Sequence, residues 1–259
     1  MDRNNPIGVF DSGIGGLTVL DALHRQMPNE NFIYLADDAY FPYGRKSGAE
    51  IENRVLQIGK HFEKKNVKAL VIACNTASAN SHLLRSWSPI PVQSVIEPTA
   101  LFAFNQSHSK RIAILATDLT IKTGTYQQIL KRLGAEVFPL PASGLVELAE
   151  SPNRKSRETA QLVREIISPL QNFEFDTIVL GCTHFGLLSE AISEVFPKAL
   201  QVGCGEPTAR QLREILASQN LLTDRLENGN IHLFSSGSPS AYDQKTDWLS
   251  FPFLGPNKW

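Results

Sequence analysis

Two ten-residue segments of this chain share one pattern, an apolar run followed by a small residue, a cysteine and then a threonine within two positions. They are ALVIACNTAS at 69–78 and TIVLGCTHFG at 177–186. Short apolar runs bounded by polar residues are typical of buried strands in parallel sheets. The interval from Asp11, which ends another apolar run, to Cys74 resembles the interval from Thr117 to Cys182. The repeat predicts two copies of one α/β unit rather than a single nine-stranded sheet.

Apolar runs alternate with helical patterns along the whole chain, which is typical of an α/β fold with parallel sheets. The predicted strands are 7–10, 31–36, 69–73, 111–115, 136–140 and 177–180. Helices are predicted at 17–27, at 48–65, from Asn75 as the N-cap, over 121–133, over 162–170 and over 188–196.

Composition and charge exclude several classes of protein. The 259 residues carry a formal net charge of −1, and no long run of one sign suggests a nucleic-acid or membrane partner. The first residues lack the pattern of a signal peptide, and no stretch reaches the roughly 20 apolar residues of a spanning helix. Three widely spaced cysteines make neither a disulfide framework nor a zinc site. We therefore expect a cytoplasmic enzyme with reduced thiols.

Reactive side chains fall where the predicted strands end, which is where ligands bind in open parallel sheets. The four sets are Asp11-Ser12-Gly13, Cys74-Asn75-Thr76, Thr117 with Thr120, and Cys182-Thr183-His184. A single cysteine in such a place is often an inert core residue. Two cysteines in equivalent places, each at a predicted helix start that lowers a thiol pKa, favour a catalytic role.

Other candidate residues admit two interpretations each. Gly13, Gly15 and Gly16 could cradle an anion or simply form a tight strand-to-helix turn, and they do not match a dinucleotide-binding motif. His184 could form a nucleophilic pair with Cys182 or share a proton with it. Glu147 is either an acid/base residue or a solvated helix position, and Cys204 is interpreted as structural.

Six segments, in this order along the chain, resemble the motifs of bacterial glutamate racemases. They are IGVFDSGIGGLTVL, YLADDAYFPYG, ALVIACNTASA, VIEPTA, LVELAE and IVLGCTHFGLL, and the ending HLFSSGSPSAYDQKTDWLSFPFLG resembles the C-terminal strand and helix of that family. The sequence departs from the family pattern in three places. Gly203-Cys204 replaces Asp-Ser, Thr99 replaces a glycine, and Phe185-Gly186 replaces Tyr-Pro.

The resemblance implies two similar parallel-sheet α/β domains facing each other across an interdomain active-site cleft, with the first domain at 1–97 plus 209–259 and the second at 98–208. It implies interconversion of L- and D-glutamate without pyridoxal phosphate or metal, to supply D-glutamate for peptidoglycan. Glutamate is then the partner molecule, and a homodimer is the expected assembly. Because the chain begins almost at the first strand, we expect no activation by a cell-wall precursor.

The resemblance also assigns roles to individual residues. Cys74 and Cys182 would transfer the proton, and Asp11, His184 and Glu147 would assist them. The substrate's amino and carboxylate groups would be held by Asp11, Ser12, Tyr43, Gly44, Asn75, Thr76, Thr120, Thr183 and His184.

Three alternatives remain open on the sequence. The chain could be a racemase of aspartate or another acidic amino acid. It could be a catalytically weak glutamate-binding regulatory protein, for which only Gly203-Cys204 argues. A thiol hydrolase using Cys182 and His184 is the most distant, because it leaves Cys74 without a role.

Overall fold

The computed structural model describes residues 2–238, 249 and 251–259 of the chain. The described strands are three to six residues long. They are β1 (Ile7–Asp11), β2 (Phe32–Ala36), β3 (Ala69–Ile72), β4 (Val92–Ser94), β5 (Arg111–Ala116), β6 (Glu136–Pro141), β7 (Thr177–Gly181), β8 (Leu200–Val202), β9 (Ile231–Ser235) and β10 (Leu254–Lys258).

The helices alternate with these strands through most of the chain. They are α1 (Leu17–Gln26), α2 (Gly48–Lys64), α3 (Asn75–Ala79), α4 (His82–Trp87), α5 (Ile96–Gln106), α6 (Asp118–Thr123), α7 (Thr125–Arg132), α8 (Gly144–Glu150), α9 (Arg157–Ile167), α10 (Ser189–Val195) and α11 (Gly205–Ser218). Short 3-10 helices lie at Asp38–Tyr40, Tyr43–Arg45, Ser168–Asn172 and Phe185–Leu188.

The chain divides into two compact units, Met1–Val95 with Gly205–Trp259 and Ile96–Cys204. The boundaries predicted after 97 and after 208 fall inside α5 and α11. Each of these helices stays with one unit as a whole, since α5 contacts β7 and β8 whereas α11 contacts α1 and β4.

Each unit contains its own parallel sheet. The described strands of the first unit run in the order β10-β9-β2-β1-β3-β4, and those of the second run in the order β6-β5-β7-β8. Every strand pair recorded among the described residues is parallel. The prediction of two parallel-sheet α/β units is confirmed, and the single-sheet alternative is wrong.

The apolar runs of the sequence are continuous, and not alternating with polar residues, where a strand lies inside its sheet. All residues of β1, β3 and β7 are buried, because helices cover both faces of a parallel sheet. The helix predicted over 48–65 begins at Gly48, after a capping box in which Ser47 and Glu50 bond each other's backbone N–H groups.

Two local predictions were wrong. The helix predicted over 121–133 is two helices, α6 and α7, because Gly124 adopts the left-handed conformation (φ 71°) that ends the first. The predicted N-cap Asn75 is the first residue of α3, and Cys74 is the N-cap. Much of the segment predicted as a C-terminal strand and helix, residues 239–248 and 250, lies outside the described residues.

Candidate active site

In the first unit, the predicted site residues lie at the carboxyl ends of neighbouring strands. Asp11 ends β1 and Cys74 follows β3, and these strands are paired. The Cys74 thiol donates to the Ser12 hydroxyl, with 3.7 Å from Sγ to Oγ. The five predicted polar or thiol residues at this edge are all buried: Asp11, Ser12, Cys74, Asn75 and Thr76.

The pKa of Cys74 differs from the prediction. We expected a helix N-terminus to lower it, but burial and, to a lesser extent, the Asp11 carboxylate raise the pKa of the thiol to about 12. Hydrogen bonding from the backbone N–H groups of Ala77 and Ser12 and from the Ser12 side chain acts in the opposite direction and is outweighed. In the free protein Cys74 is therefore a thiol at neutral pH, and its thiolate is a strong base.

The turn after β1 is filled by the carboxylate of Asp11 itself. The backbone N–H of Gly13 donates to Asp11 Oδ2 at 3.0 Å, and a Cβ at Gly16 would lie 2.4 Å from the Cβ of Asp11. The tight-turn interpretation of the glycines is therefore the one that the structure favours, at least for Gly16.

Tyr43 reaches this edge from the 3-10 helix Tyr43–Arg45, but its hydroxyl is already committed. It donates to Asp37 Oδ2 at 2.5 Å, and Arg54 donates to both oxygens of the same carboxylate. Burial, Asp37 and Cys74 all raise the pKa of Tyr43, so the phenol stays neutral. Gly44 follows Tyr43 and is half-buried. Sequence reasoning missed Asp37, although it directly follows β2, the strand that pairs with β1.

In the second unit, Cys182 follows β7 and lies beside His184. The distance from Cys182 Sγ to His184 Nδ1 is 3.8 Å, and His184 Nε2 lies 3.0 Å from Glu150 Oε1. Thiol, imidazole and carboxylate thus form a continuous chain. The carboxylate partner is Glu150, one helical turn after the predicted Glu147, which is exposed.

The remaining predicted residues of this unit also gather at strand ends. Thr117 follows β5, the neighbour of β7, and caps α6 by accepting from the Thr120 backbone N–H. The two threonine hydroxyl oxygens lie 2.9 Å apart. Thr120, Thr183 and His184 are all buried.

Within the residues that the structure describes, no group of three or more His, Cys, Asp and Glu side chains is arranged to hold a metal ion. None of the described helices is long and apolar enough to cross a membrane.

A sequence profile described as Asp/Glu/hydantoin racemase matches residues 7–208. The chain is 39 % identical over 238 residues to a glutamate racemase of Bacillus cereus, covering 90 % of this chain and 88 % of that protein. The chain belongs to the Asp/Glu/hydantoin racemase family, among its glutamate racemases.

Solved structures of this racemase family agree with that assignment. A glutamate racemase isoform from Bacillus anthracis superposes with a TM-score of 0.93 at 32 % identity, covering 97 % of this chain and 96 % of that one. A glutamate racemase from Francisella tularensis, solved in complex with D-glutamate, gives a TM-score of 0.85 at 30 % identity, with 92 % and 90 % covered.

Proposed function

We propose that this racemase interconverts L- and D-glutamate by passing a proton through two thiols, Cys74 and Cys182. One observation carries the proposal: each unit presents a buried cysteine just after a central strand, next to an ionisable side chain. Glutamate as the substrate is supported by the relatives, which are glutamate racemases, and by the F. tularensis relative solved with D-glutamate. The same relatives favour glutamate over the aspartate alternative.

Each turnover moves one proton off the α-carbon and one onto its opposite face. When D-glutamate is bound, the Cys74 thiolate takes the α-proton and becomes a thiol, while the Cys182 thiol gives its proton to the other face. The product is L-glutamate, and Cys182 is left as the thiolate that starts the reverse reaction. With one base for each face, neither the substrate nor a single base has to turn over in the site.

The high pKa of Cys74 suits this step. An α-proton beside a carboxylate is only weakly acidic, so a thiolate whose conjugate acid has a pKa of about 12 is a better match than an ordinary thiolate. The positive substrate ammonium group favours forming that thiolate when glutamate binds.

Polar neighbours complete the proposed site. Asp11 assists proton transfer at Cys74, and the His184–Glu150 pair assists it at Cys182. Hydroxyl, amide and backbone donors then stabilise the carbanion-like transition state: Ser12, Asn75, Thr76, Thr120 and Thr183. The Tyr43 hydroxyl is already bonded to Asp37. We therefore propose that Tyr43 and Gly44 bind the substrate through their main-chain groups.

We further propose that the reaction needs neither pyridoxal phosphate nor a metal, because two thiols supply both proton transfers. Lys68, the lysine that is buried among the described residues of the first unit, is bonded to Glu30 and precedes β3, whereas Cys74 follows that strand. It is therefore not placed to form an imine near the thiol. Racemisation that persists in EDTA and hydroxylamine would support this proposal.

The proposed cellular role is the supply of D-glutamate for peptidoglycan, in the cytoplasm. A homodimer without nucleic-acid or membrane partners remains the predicted assembly, and light scattering during gel filtration measures it.

Solvent deuterium exchange tests the two-thiol mechanism. Cys74→Ser and Cys182→Ser should each reduce racemisation by at least about 100-fold, because each removes an acid/base group. Each variant should still exchange the α-proton of one enantiomer, the one whose base remains. Proton NMR in D2O measures both quantities.

Cys204→Ser is the comparison variant, since it exchanges sulfur for oxygen at a buried cysteine that transfers no proton and keeps a donor to the Leu180 carbonyl, so its loss should be no more than about tenfold. Normal racemisation by either of the other two serine variants would contradict the mechanism. Turnover of aspartate in place of glutamate would contradict the substrate assignment, and glutamate binding without turnover would favour a regulatory protein.

A further inference from the structure

Behind Cys182, within the second unit, lies a fully buried tyrosine. Tyr126 belongs to α7, and its ring packs against the end of β7. A Cβ placed on Gly181, the residue before Cys182, would lie 3.3 Å from Tyr126 Cε2. The ring therefore packs against the backbone immediately before Cys182.

The hydroxyl of Tyr126 belongs to a chain of hydrogen bonds that ends on the same strand. Cys204 Sγ donates to the backbone carbonyl of Leu180 at 3.4 Å. Tyr126 Oη lies 4.0 Å from that sulfur. Since the only thiol proton points to Leu180, the tyrosine is the donor to the sulfur. The polar chain therefore runs from Tyr126 through Cys204 to the strand that precedes Cys182.

Thr99, on α5, also forms a hydrogen bond with the Tyr126 hydroxyl. Burial is the largest cause that raises the pKa of Tyr126 well above 10.0, and Cys204 also raises this pKa whereas Thr99 lowers it. A group that accepts the phenol proton raises the pKa, and a group that donates to the phenol oxygen lowers it. Cys204 is therefore the acceptor and Thr99 the donor. Cys182, when it is ionised, also raises the pKa of Tyr126, which means that the sulfur is within electrostatic reach of the phenol.

We propose that Thr99, Tyr126 and Cys204 form a positioning cluster that fixes the backbone at Leu180–Gly181 and so aims the Cys182 thiol. The inference rests on the proposed role of Cys182 in proton transfer. A buried polar chain costs desolvation, and an apolar core of the same shape would pack as well. What the chain adds is directional bonding to one carbonyl, and a misplacement of about 1 Å at a reacting group costs on the order of 100-fold in rate.

Three variants test the cluster through kinetics. Tyr126→Phe keeps the ring and removes the hydroxyl, Cys204→Ala removes the donor to Leu180, and Thr99→Ser keeps the hydroxyl. We expect the first two to lower kcat by about tenfold with KM changed less than about twofold. Thr99→Ser should stay within about twofold of the starting protein in both constants.

Alkylation of Cys182 by iodoacetamide gives a readout that does not depend on racemisation. Followed by peptide mass spectrometry in the free protein, its rate should change at least about threefold in Tyr126→Phe and Cys204→Ala. The matched control is Tyr34→Phe, which removes an equally buried hydroxyl, bonded to the Gly13 carbonyl at 2.7 Å, from the first unit. It should leave the alkylation rate of Cys182 unchanged.

Two results would overturn the inference. One is unchanged kcat and unchanged Cys182 alkylation in both Tyr126→Phe and Cys204→Ala. The other is an equal loss in Thr99→Ser, accompanied by the same fall in Tm, which would mean general destabilisation. If Tyr126→Phe does not fold, Thr99→Val removes a different hydroxyl of the same chain. If the starting protein does not racemise glutamate, the proposed function fails, and the alkylation rates still decide on the cluster.

Discussion

The two cysteines have the same place in their units but unlike chemical surroundings. Cys74 lies beside a carboxylate and a hydroxyl, whereas Cys182 lies beside an imidazole that is itself held by a carboxylate. A substrate with one ammonium and two carboxylates is itself asymmetric, so its two faces need different neighbours for the same proton transfer. The repeat therefore supplies the pair of thiols, and the residues beside them adapt each one.

The carboxylate that assists His184 is predicted to be Glu150. Glu150→Gln should lower kcat by roughly 10-fold to 100-fold, because His184 loses the group that orients its ring beside Cys182. Glu147→Gln is the matched control on the same helix, and its kcat should stay within about twofold. Steady-state kinetics on both enantiomers measure the difference. A larger loss in Glu147→Gln would instead favour Glu147, the residue assigned from the sequence, as the acid/base residue.

At the scale of elements, the sequence predicted well wherever one strand or helix carried its own signal. Continuous apolar runs identified β1, β3 and β7, and their ends identified Asp11, Cys74 and Cys182. It did not identify the contacts that depend on packing between elements. LVELAE contains two glutamates one turn apart, and only the packing of α8 against α9 and the 3-10 helix Phe185–Leu188 decides which one reaches His184. No local pattern reveals the chain from Thr99 to Cys204, because Thr99 and Tyr126 lie on separate helices and Cys204 lies in the turn between β8 and α11.

The contact between α1 and the end of β1 gives a prediction about stability. Gly16→Ala should destabilise the first unit by roughly 1–3 kcal/mol, because the new methyl group would overlap the Cβ of Asp11 and crowd the Tyr34 hydroxyl. Thermal denaturation followed by circular dichroism should show a fall in Tm of at least about 2 °C. Racemisation should fall too, since Asp11 must move.

Gly203→Ala is the control for that substitution. No atom lies within 4 Å of a Cβ built at Gly203, so its Tm should be unchanged or slightly higher. Equal Tm values for the two variants would mean that α1 shifts without cost and that the close approach at Gly16 is not a constraint.

On the scale of the whole molecule, the first unit depends on a segment that returns after the second unit is complete. Lys68 donates to Glu30 and to the Arg3 carbonyl, and Glu30 accepts from the backbone N–H of Thr223. Lys68 and Glu30 are both buried. The ion pair therefore ties the start of the chain, the segment before β2 and the returning segment together, at the opposite end of β3 from Cys74.

Tryptophan fluorescence can follow this unit, because Trp87 and Trp259 belong to it and the sequence has no tryptophan within 96–204, the range of the second unit. Glu30→Gln should lower its free energy of unfolding in urea by roughly 3–5 kcal/mol, since a buried ammonium loses its counter-charge. Asp224→Asn breaks the exposed Arg3–Asp224 pair between two of the same segments and should cost at most about 1 kcal/mol.

The pH dependence of the Glu30→Gln defect identifies its cause. Burial lowers the pKa of Lys68, and Glu30 partly opposes that effect, so the pKa falls further in the variant. The folded variant then binds fewer protons than its unfolded chain between that lowered pKa and the unfolded value of about 10.4. Its stability must rise with pH in this window, and the defect should shrink as the pH is raised from 7 towards 10. A defect of constant size would instead point to lost packing, with no part played by the buried charge.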